Sequence, residues 1–340
     1  MRKKNPTIKD IAKLSNTSIT TVSFVLNGRH DKVSKETIEN VQKIIKEIGY
    51  VPSINASSLK SGLTKSIGLI IPDIENEYYS RISKRLSNEL DKLGYSLLIL
   101  NSNDNFKKEL IAIDSLVKRN IDYLIIAPSI EALKEENQNK FKEILENLPF
   151  EYLIIDRKVN FNNHISILND DYYGAKLATE YLLSKGYKNI ACITGPNDVS
   201  SSKERLRGYK DALKEEGVSF NKNYIFEGDY YFYSGKISAL KIFENKNIDA
   251  IFAFNDLMAY GVYESALKNN IKIGQDIALM GYDDNSFSSL IYPCLTSTRP
   301  NINKMCEKII EVIFDKKPIL DSEIKIKTKF IVRESVGSKL

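Results

Sequence analysis

Apolar positions follow two regimes along the chain: helical spacing over the first fifty residues, then strand-sized runs alternating with helical stretches to beyond residue 300. In the first regime Ile8, Ile11 and Ala12, with Leu14 as a further candidate, mark one face of a helix that Thr7 can cap and that ends near Asn16. Ser18 opens a second helix, in which Val22, Val25 and Leu26 face inward and Asn27-Gly28 supplies a left-handed exit. A third runs from Ser34, three residues before Thr37, to Ile48; it buries Ile38, Val41, Ile45 and Ile48 before "GYVP" ends it. The pattern predicts a small all-α helix-turn-helix domain with a supporting helix.

In the second regime "SIGLIIP", "YSLLIL", "DYLIIA" and "YLIID" alternate with helices near 79–93, 107–119 and 139–147. A second series follows: "ISIL", "NIACIT", a strand near "YIFEG", "AIFAF" and "IALMGYD", with helices at 171–185, 203–216, 234–244 and 256–269. Such alternation predicts parallel sheets covered on both faces. Two series of this length predict an α/β part of two doubly wound lobes, with a ligand cleft between them outside the carboxyl ends of the strands. The expected division is 1–50 for the helical domain, 51–65 for a Ser-rich linker and 66–340 for the two-lobed part.

Charge sharpens this division. The chain carries +5 in total, but residues 1–65 alone carry +7, leaving −2 for the rest. A basic N-terminal fifth fits a nucleic-acid footprint as well as a solvated face. The longest apolar runs are strand-sized, so no membrane span is expected. The start, "MRKKNPTIKDIAK", has positive charge but no apolar stretch behind it, and the expectation is a cytoplasmic protein. Cys192, Cys294 and Cys306 are far apart and read as reduced thiols. His30 and His164 are the sole histidines and offer no metal-ligand spacing, so neither a metal nor a cofactor is expected.

The second helix, "ITTVSFVL", places small hydroxyls on a solvent face. A recognition helix in the major groove must bring that face close to base edges and phosphates, which small side chains permit. Ile19 and Thr20 point outward near the helix start, Phe24 one turn later could touch a thymine methyl, and Thr21 and Ser23 suit phosphate oxygens. At the strand ends of the large part lie Tyr78 and Tyr79, Ser129, Asp156-Arg157, the stretch "GPNDVSSSKERLRG", Tyr230, Asn255-Asp256 and Asp283. Carboxylates, amides, arginine forks and aromatic faces suit a neutral polyhydroxylated ligand. Taken singly, Ser129 and Asn255 read better as helix caps or satisfied loop residues.

The stretches "PTIKDIAKLSNTSITTVSFVLNG" and "VSKETIENVQKIIKEIGYVPSINASSLKSG" resemble the DNA-binding head and hinge of the lac-repressor/galactose-repressor family of bacterial transcription factors. The resemblance implies a hinge helix in "SINASSLKSG" that orders on DNA, with Leu59 wedging between base pairs from the minor groove. The implied DNA-contacting set is Thr7, Ser18, Ile19, Thr20, Thr21, Ser23, Phe24, Asn27, Ser34, Thr37, Ala56, Leu59 and Lys60. Many relatives have Arg or His in place of Phe24, so a forked contact to guanine is absent there.

The resemblance continues through "ITGPNDVSSSKERLRGY", "AIFAFNDLMAYGV" and "LMGYDDNSF", which are similar to an effector-binding domain shared with periplasmic sugar-binding proteins. Ser201, Arg205, Asp283, Tyr79 and Tyr230 match effector-contacting positions. Val199 stands where a purine-responsive member has an arginine, which favours a sugar. The family further implies that "STRPN" and a helix at 302–314 return to the first lobe, giving lobe 1 about 66–163 with 297–316 and lobe 2 about 164–296. It also implies a homodimer on a near-palindromic operator; no leucine-heptad tail follows Leu320. A purine or nucleoside effector, or a phosphorylated protein partner, stands as the alternative within the family. A doubly wound enzyme is disfavoured because GxGxxG, GxxxxGK[ST] and GxSxG are absent at the strand ends. A transport-type sugar-binding protein conflicts with the basic head.

Overall fold

The computed structural model describes residues 6–50, 62–315 and 322–337. The chain divides into two compact units, Met1–Thr64 and Lys65–Leu340.

In the first unit lie α1 (Ile8–Leu14), α2 (Ile19–Leu26) and α3 (Lys35–Ile48). Each start is capped by a hydroxyl: Thr7 forms a reciprocal box with Asp10, Ser18 accepts from the Thr21 N–H at 3.0 Å, and Ser34 from the Thr37 N–H at 3.3 Å. Gly28 and Gly49 hold the left-handed conformation that ends α2 and α3. Ile11, Ala12, Val22, Val25, Val41 and Ile44 form the core. Two expectations change here. Leu14 is 59% exposed, and the deepest pair on α3 is Val41 with Ile44, while Ile38, Ile45 and Ile48 flank it half-buried. The helical stripe is broad enough that Ile44 and Ile45 cannot be ranked from spacing alone.

The second unit begins with β1 (Ser66–Ile71), α4 (Glu77–Lys92), β2 (Ser96–Asn101), α5 (Phe106–Lys118), β3 (Tyr123–Ile126), α6 (Ile130–Leu133), α7 (Glu135–Glu146), β4 (Glu151–Ile155) and β5 (Ile165–Asn169). It continues with α8 (Asp171–Ser184), β6 (Ile190–Thr194), α9 (Ser200–Glu215), β7 (Ile225–Glu227), α10 (Phe232–Glu244), β8 (Ala250–Ala253), α11 (Asp256–Lys268) and β9 (Ala278–Tyr282). It closes with β10 (Thr296–Arg299), α12 (Ile302–Phe314), β11 (Glu323–Ile326) and β12 (Lys329–Ile331). Among the described residues these strands form two six-stranded sheets, ordered β11-β5-β4-β3-β1-β2 and β12-β10-β9-β8-β6-β7. All pairings are parallel except β12 on β10. Strands such as β3, β6, β8 and β9 are buried at every residue, as continuous apolar runs between two helical layers require.

The lobe boundary differs from the sequence reading. "ISIL" does not open the second series; as β5 it pairs with β4 in the register Leu153↔Ile165 and completes the first sheet. The chain therefore crosses to the second lobe after Asn169, near 170 rather than 164. Arg299 still belongs to the second sheet, so the return follows it, and a third crossing lies between β11 and β12, neither of which was anticipated. Once back in the first lobe, α12 packs Met305, Cys306 and Ile309 against Ile82, Leu86 and Leu90 of α4.

In the second lobe α10 and α11 meet backbone to backbone. A Cβ on Gly235 would fall 2.1 Å from the Met258 carbonyl oxygen, and one on Gly261 2.2 Å from that of Phe232. Gly235→Ala gains up to about 1 kcal/mol of helix propensity, yet the clash is with backbone that cannot swing away. A net loss of about 1–3 kcal/mol is expected in urea unfolding; a stabilised variant would show that the helices can separate.

Candidate ligand cleft and nucleic-acid interface

On the helical unit, Ser18, Ile19 and Thr20 are exposed at the start of α2, Ile19 at 45%. The other hydroxyls are partly engaged. Thr21 Oγ1 lies 2.9 Å from Ser18 Oγ, Thr37 Oγ1 lies 2.8 Å from Ser34 Oγ, and Ser23 Oγ accepts from Asn27 Nδ2 at 3.2 Å. Asn27 Nδ2 also donates to the Ser23 carbonyl at 2.6 Å, so this amide caps its own helix. Phe24 is half-buried, with the Lys32 ammonium 5.7 Å from its ring centroid. Thr7 serves the α1 cap. Ala56, Leu59 and Lys60 lie outside the described residues.

In the second unit the carboxyl ends of both sheets face one cleft, lined by Tyr78, Tyr79, Asp156, Arg157, Ser201, Arg205, Tyr230, Asn255 and Asp283. Tyr79 donates its phenol to Asp156 at 2.6 Å, and Asp156 turns into the cleft through a left-handed backbone. Tyr78 sits edge-on to Tyr79, ring centroids 5.1 Å apart, and its hydroxyl accepts from Asn169 Nδ2 at 2.9 Å. Opposite, the Tyr230 hydroxyl lies 3.2 Å from Ser201 Oγ, and Asn255 Nδ2 donates to the Tyr230 carbonyl at 2.7 Å. Tyr230 also takes a left-handed backbone, and its ring covers Gly195 so closely that any Cβ there would lie 2.1 Å from it.

Both arginines are neutralised within the protein. Arg205 is buried, donates Nε to Asp171 at 2.8 Å and Nη1 to the Phe254 carbonyl, and lies 3.6 Å over the Tyr282 ring. Arg157 pairs with Asp104 and donates to the Pro128 carbonyl at 2.8 Å. Burial holds the Asp171 carboxyl up at about 6 despite its arginine, and burial likewise pushes Asp283 up, against the pull of Arg205. With Arg157 held by Asp104 and Arg205 by Asp171, neither guanidinium is left unpaired for an anion, and the carboxyl, amide and phenol groups around them suit a ligand rich in hydroxyls. Its inner part encloses about 50 Å³. A second cavity of about 490 Å³ shares Asp156 and Ser201 with it, between the segment 158–161 and the first turns of α9. The two cavities adjoin at Asp156 and Ser201.

Two expected site residues stand behind the cleft instead. Ser129 is fully buried, caps α6, and donates its N–H at 2.8 Å and its hydroxyl at 2.7 Å to Glu109. Asp256 is fully buried and accepts from Ser288 Oγ at 2.6 Å, Ser297 Oγ at 2.7 Å and the Asn285 N–H at 2.8 Å. Its neighbour Asn255 faces the ligand side and caps α11 as well. Sequence reasoning missed Asp104 and Asp171. Asp104 follows the strand "YSLLIL", where the same strand-end rule could have found it, whereas Asp171 reads only as the first residue of a helix.

Burial pushes Asp256 up to about 7. An unfolded chain ionises such a carboxyl near about pH 4, so between about 4 and about 7 the folded state holds a proton that the unfolded state has lost. Stability contributed by this group therefore falls as pH rises through that window. Asp256→Asn is expected to flatten the fall, measured as urea midpoints at both ends of the window; an unchanged slope would assign the titration to other groups.

Among the described residues no group of His, Cys, Asp or Glu could hold a metal ion, and no helix is long and apolar enough to cross a membrane.

Residues 7–53 match the family model for bacterial regulatory proteins of the lacI family, and residues 179–336 match that for a periplasmic binding protein-like domain. The chain is 32% identical over 300 residues to the HTH-type transcriptional regulator DegA of Bacillus subtilis, covering 88% of each. It is also 32% identical to the ribose operon repressor of Escherichia coli, covering 90% of this chain and 92% of that protein. The fold is shared with a lac repressor dimer bound to operator and an anti-inducer, at a TM-score of 0.84 and 23% identity over 98% of this chain and 100% of the other.

Proposed function

Because this chain belongs to the lacI family of bacterial regulatory proteins, we propose that it is a transcriptional repressor of a carbohydrate-utilisation operon, released or engaged by a neutral sugar in the cleft. The observation that carries this reading is the cleft itself: tyrosine faces beside Asp156, Asn255 and Asp283, with both arginines already satisfied by internal carboxylates. Such a set binds hydroxyls and C–H faces and disfavours phosphates or carboxylates. The name of the Escherichia coli relative makes ribose the first sugar to try. Val199, at the start of α9, is fully buried and offers a purine no donor.

A sugar entering the inner cleft exchanges the Tyr79–Asp156 and Ser201–Tyr230 pairs for its own hydroxyls, and so favours one arrangement of the two lobes. Differential affinity for two states is what makes a switch. On DNA, Ile19 and Thr20 would read base edges while Ser18, Thr21 and the basic side chains of the head hold phosphates. The repressor would act in the cytoplasm as a homodimer on two half-sites. Tyr233, Ile237 and Leu240, exposed on one face of α10, are suited to a partner copy.

The test is thermal unfolding of the whole chain with ribose, other pentoses, hexoses, disaccharides and purines. At about 100 times its dissociation constant a ligand stabilises by roughly 2.7 kcal/mol, so one sugar class should raise the melting temperature clearly. A shift with a purine and with no sugar would replace the sugar reading.

A further inference from the structure

A separate cavity of about 440 Å³ opens where α4, the end of β10, the start of α12 and β12 meet. Its charged lining is Arg81, Lys84 and Arg85 from the first lobe and Arg299 and Lys329 from the second, and no carboxylate lines it. Two of these cations already have carboxylate partners outside the lining: Arg299 pairs with Asp284, which also holds Arg333, and Arg85 pairs at 2.9 Å with Glu89, which also holds Lys92 at 2.9 Å. Arg81 meets only the Asp284 carbonyl, at 3.4 Å, and among the described residues Lys84 and Lys329 form no ion pair. The amide of Asn303, in the first turn of the 13-residue α12, adds the positive end of a helix to the rim.

Arg81, Lys84 and Lys329, three cations without a carboxylate partner among the described residues, repel one another in one concavity unless an anion sits among them. Arg81 brings a guanidinium, whose planar fork matches two phosphoryl oxygens, and Lys84 and Lys329 bring ammoniums free to turn toward a third. We propose that this cavity is a second ligand site, distinct from the sugar cleft, that binds the phosphoryl group of a small metabolite. Its selectivity is the reverse of the cleft's. The cleft's arginines are both paired with carboxylates, whereas this cavity keeps three cations without one among the described residues, so one chain has a place for a neutral sugar and another for a phosphate ester. The site draws on both lobes, Arg81 and Lys84 on one side and Arg299 and Lys329 on the other. It does not depend on the identity of the sugar.

The experiment titrates the whole chain with inorganic pyrophosphate at constant ionic strength, read by calorimetry and by melting temperature, in wild type and in the double variant Lys84→Gln, Lys329→Gln. Both lysines are exposed, so the variant should fold and melt as wild type does without ligand. The basic head also attracts phosphate, but it is the same in both proteins and cancels in the comparison. Saturable binding in wild type that weakens about a hundredfold in the double variant is expected. Ribose 5-phosphate and ADP as further arms distinguish a sugar phosphate from a nucleotide by which binds more tightly than pyrophosphate. Equal binding in wild type and variant, or no effect of pyrophosphate beyond sodium chloride at matched ionic strength, would overturn the site while leaving the sugar result untouched.

Discussion

Arg205→Ala is expected to destabilise the unit Lys65–Leu340 by about 3–5 kcal/mol and to abolish its stabilisation by sugar. The arginine is buried against Asp171, the Phe254 carbonyl and the Tyr282 ring, so alanine removes three partners at once. Most of the loss comes from Asp171, left as a buried carboxylate with no counter-charge. That gives the variant a pH signature. Asp171 already stands at about 6 with its arginine present, and without it the carboxyl is held higher still. Protonation relieves the penalty, so the deficit against wild type should be full above neutrality and shrink as pH falls. Replacing the pair together, as Arg205→Met with Asp171→Leu, should recover most of the stability and none of the sugar response. A double variant that still responds to sugar would remove Arg205 from the ligand site; a single variant as stable as wild type would show that water reaches Asp171.

The second large effect concerns DNA. Binding of the whole chain to labelled duplex is expected to weaken about 10³- to 10⁵-fold between about 50 and about 200 mM salt, the slope of a protein that displaces counterions from roughly six to ten phosphates. Residues 1–65 carry the +7 that makes this possible. Within positions 6–50 basic and acidic residues nearly balance, and much of the excess sits on Arg2, Lys3, Lys4, Lys60 and Lys65. A chain beginning at Lys65 should show no such binding. Fluorescence anisotropy across a salt series measures both, and a slope near zero would mean that the head does not lie along the DNA backbone.

Local chemistry made the helical unit legible. Thr7, Ser18 and Ser34 each cap a helix from the position that the spacing of apolar residues assigns to them. The same was true of most strands and helices of the large part, because a parallel sheet buried on both faces leaves continuous apolar runs. What could not be read was which sheet a run joins. "ISIL" looks alike whether it begins one lobe or finishes the other, since the register Leu153↔Ile165 that joins β5 to β4 is a backbone pairing that leaves no mark on the side chains. Site residues divide in the same way. Asn255 and Asp256 are adjacent at one strand end, yet one side chain turns to the cleft and the next to Ser288 and Ser297 behind it. Ser129 is drawn inward by Glu109, a helix residue with no signature of its own. Asp171 was overlooked because its importance comes from Arg205, which reaches it from another helix.

The order in which the sheets are completed bears on synthesis. The strands β6, β7, β8 and β9 all lie between residues 190 and 282, so the second lobe can gather most of its sheet soon after it leaves the ribosome. The first lobe starts earlier and finishes later: α12 and β11 reach it only from beyond Arg299. Until they arrive, Ile82, Leu86 and Leu90 lack their cover and β5 is a bare sheet edge. A nascent chain broken off before Ile302 would thus keep an adhesive apolar face and an unpaired strand, the features that draw chaperones and proteases. A translation product without α12 and β11 is therefore expected to be held by chaperones or degraded, where the full chain is not.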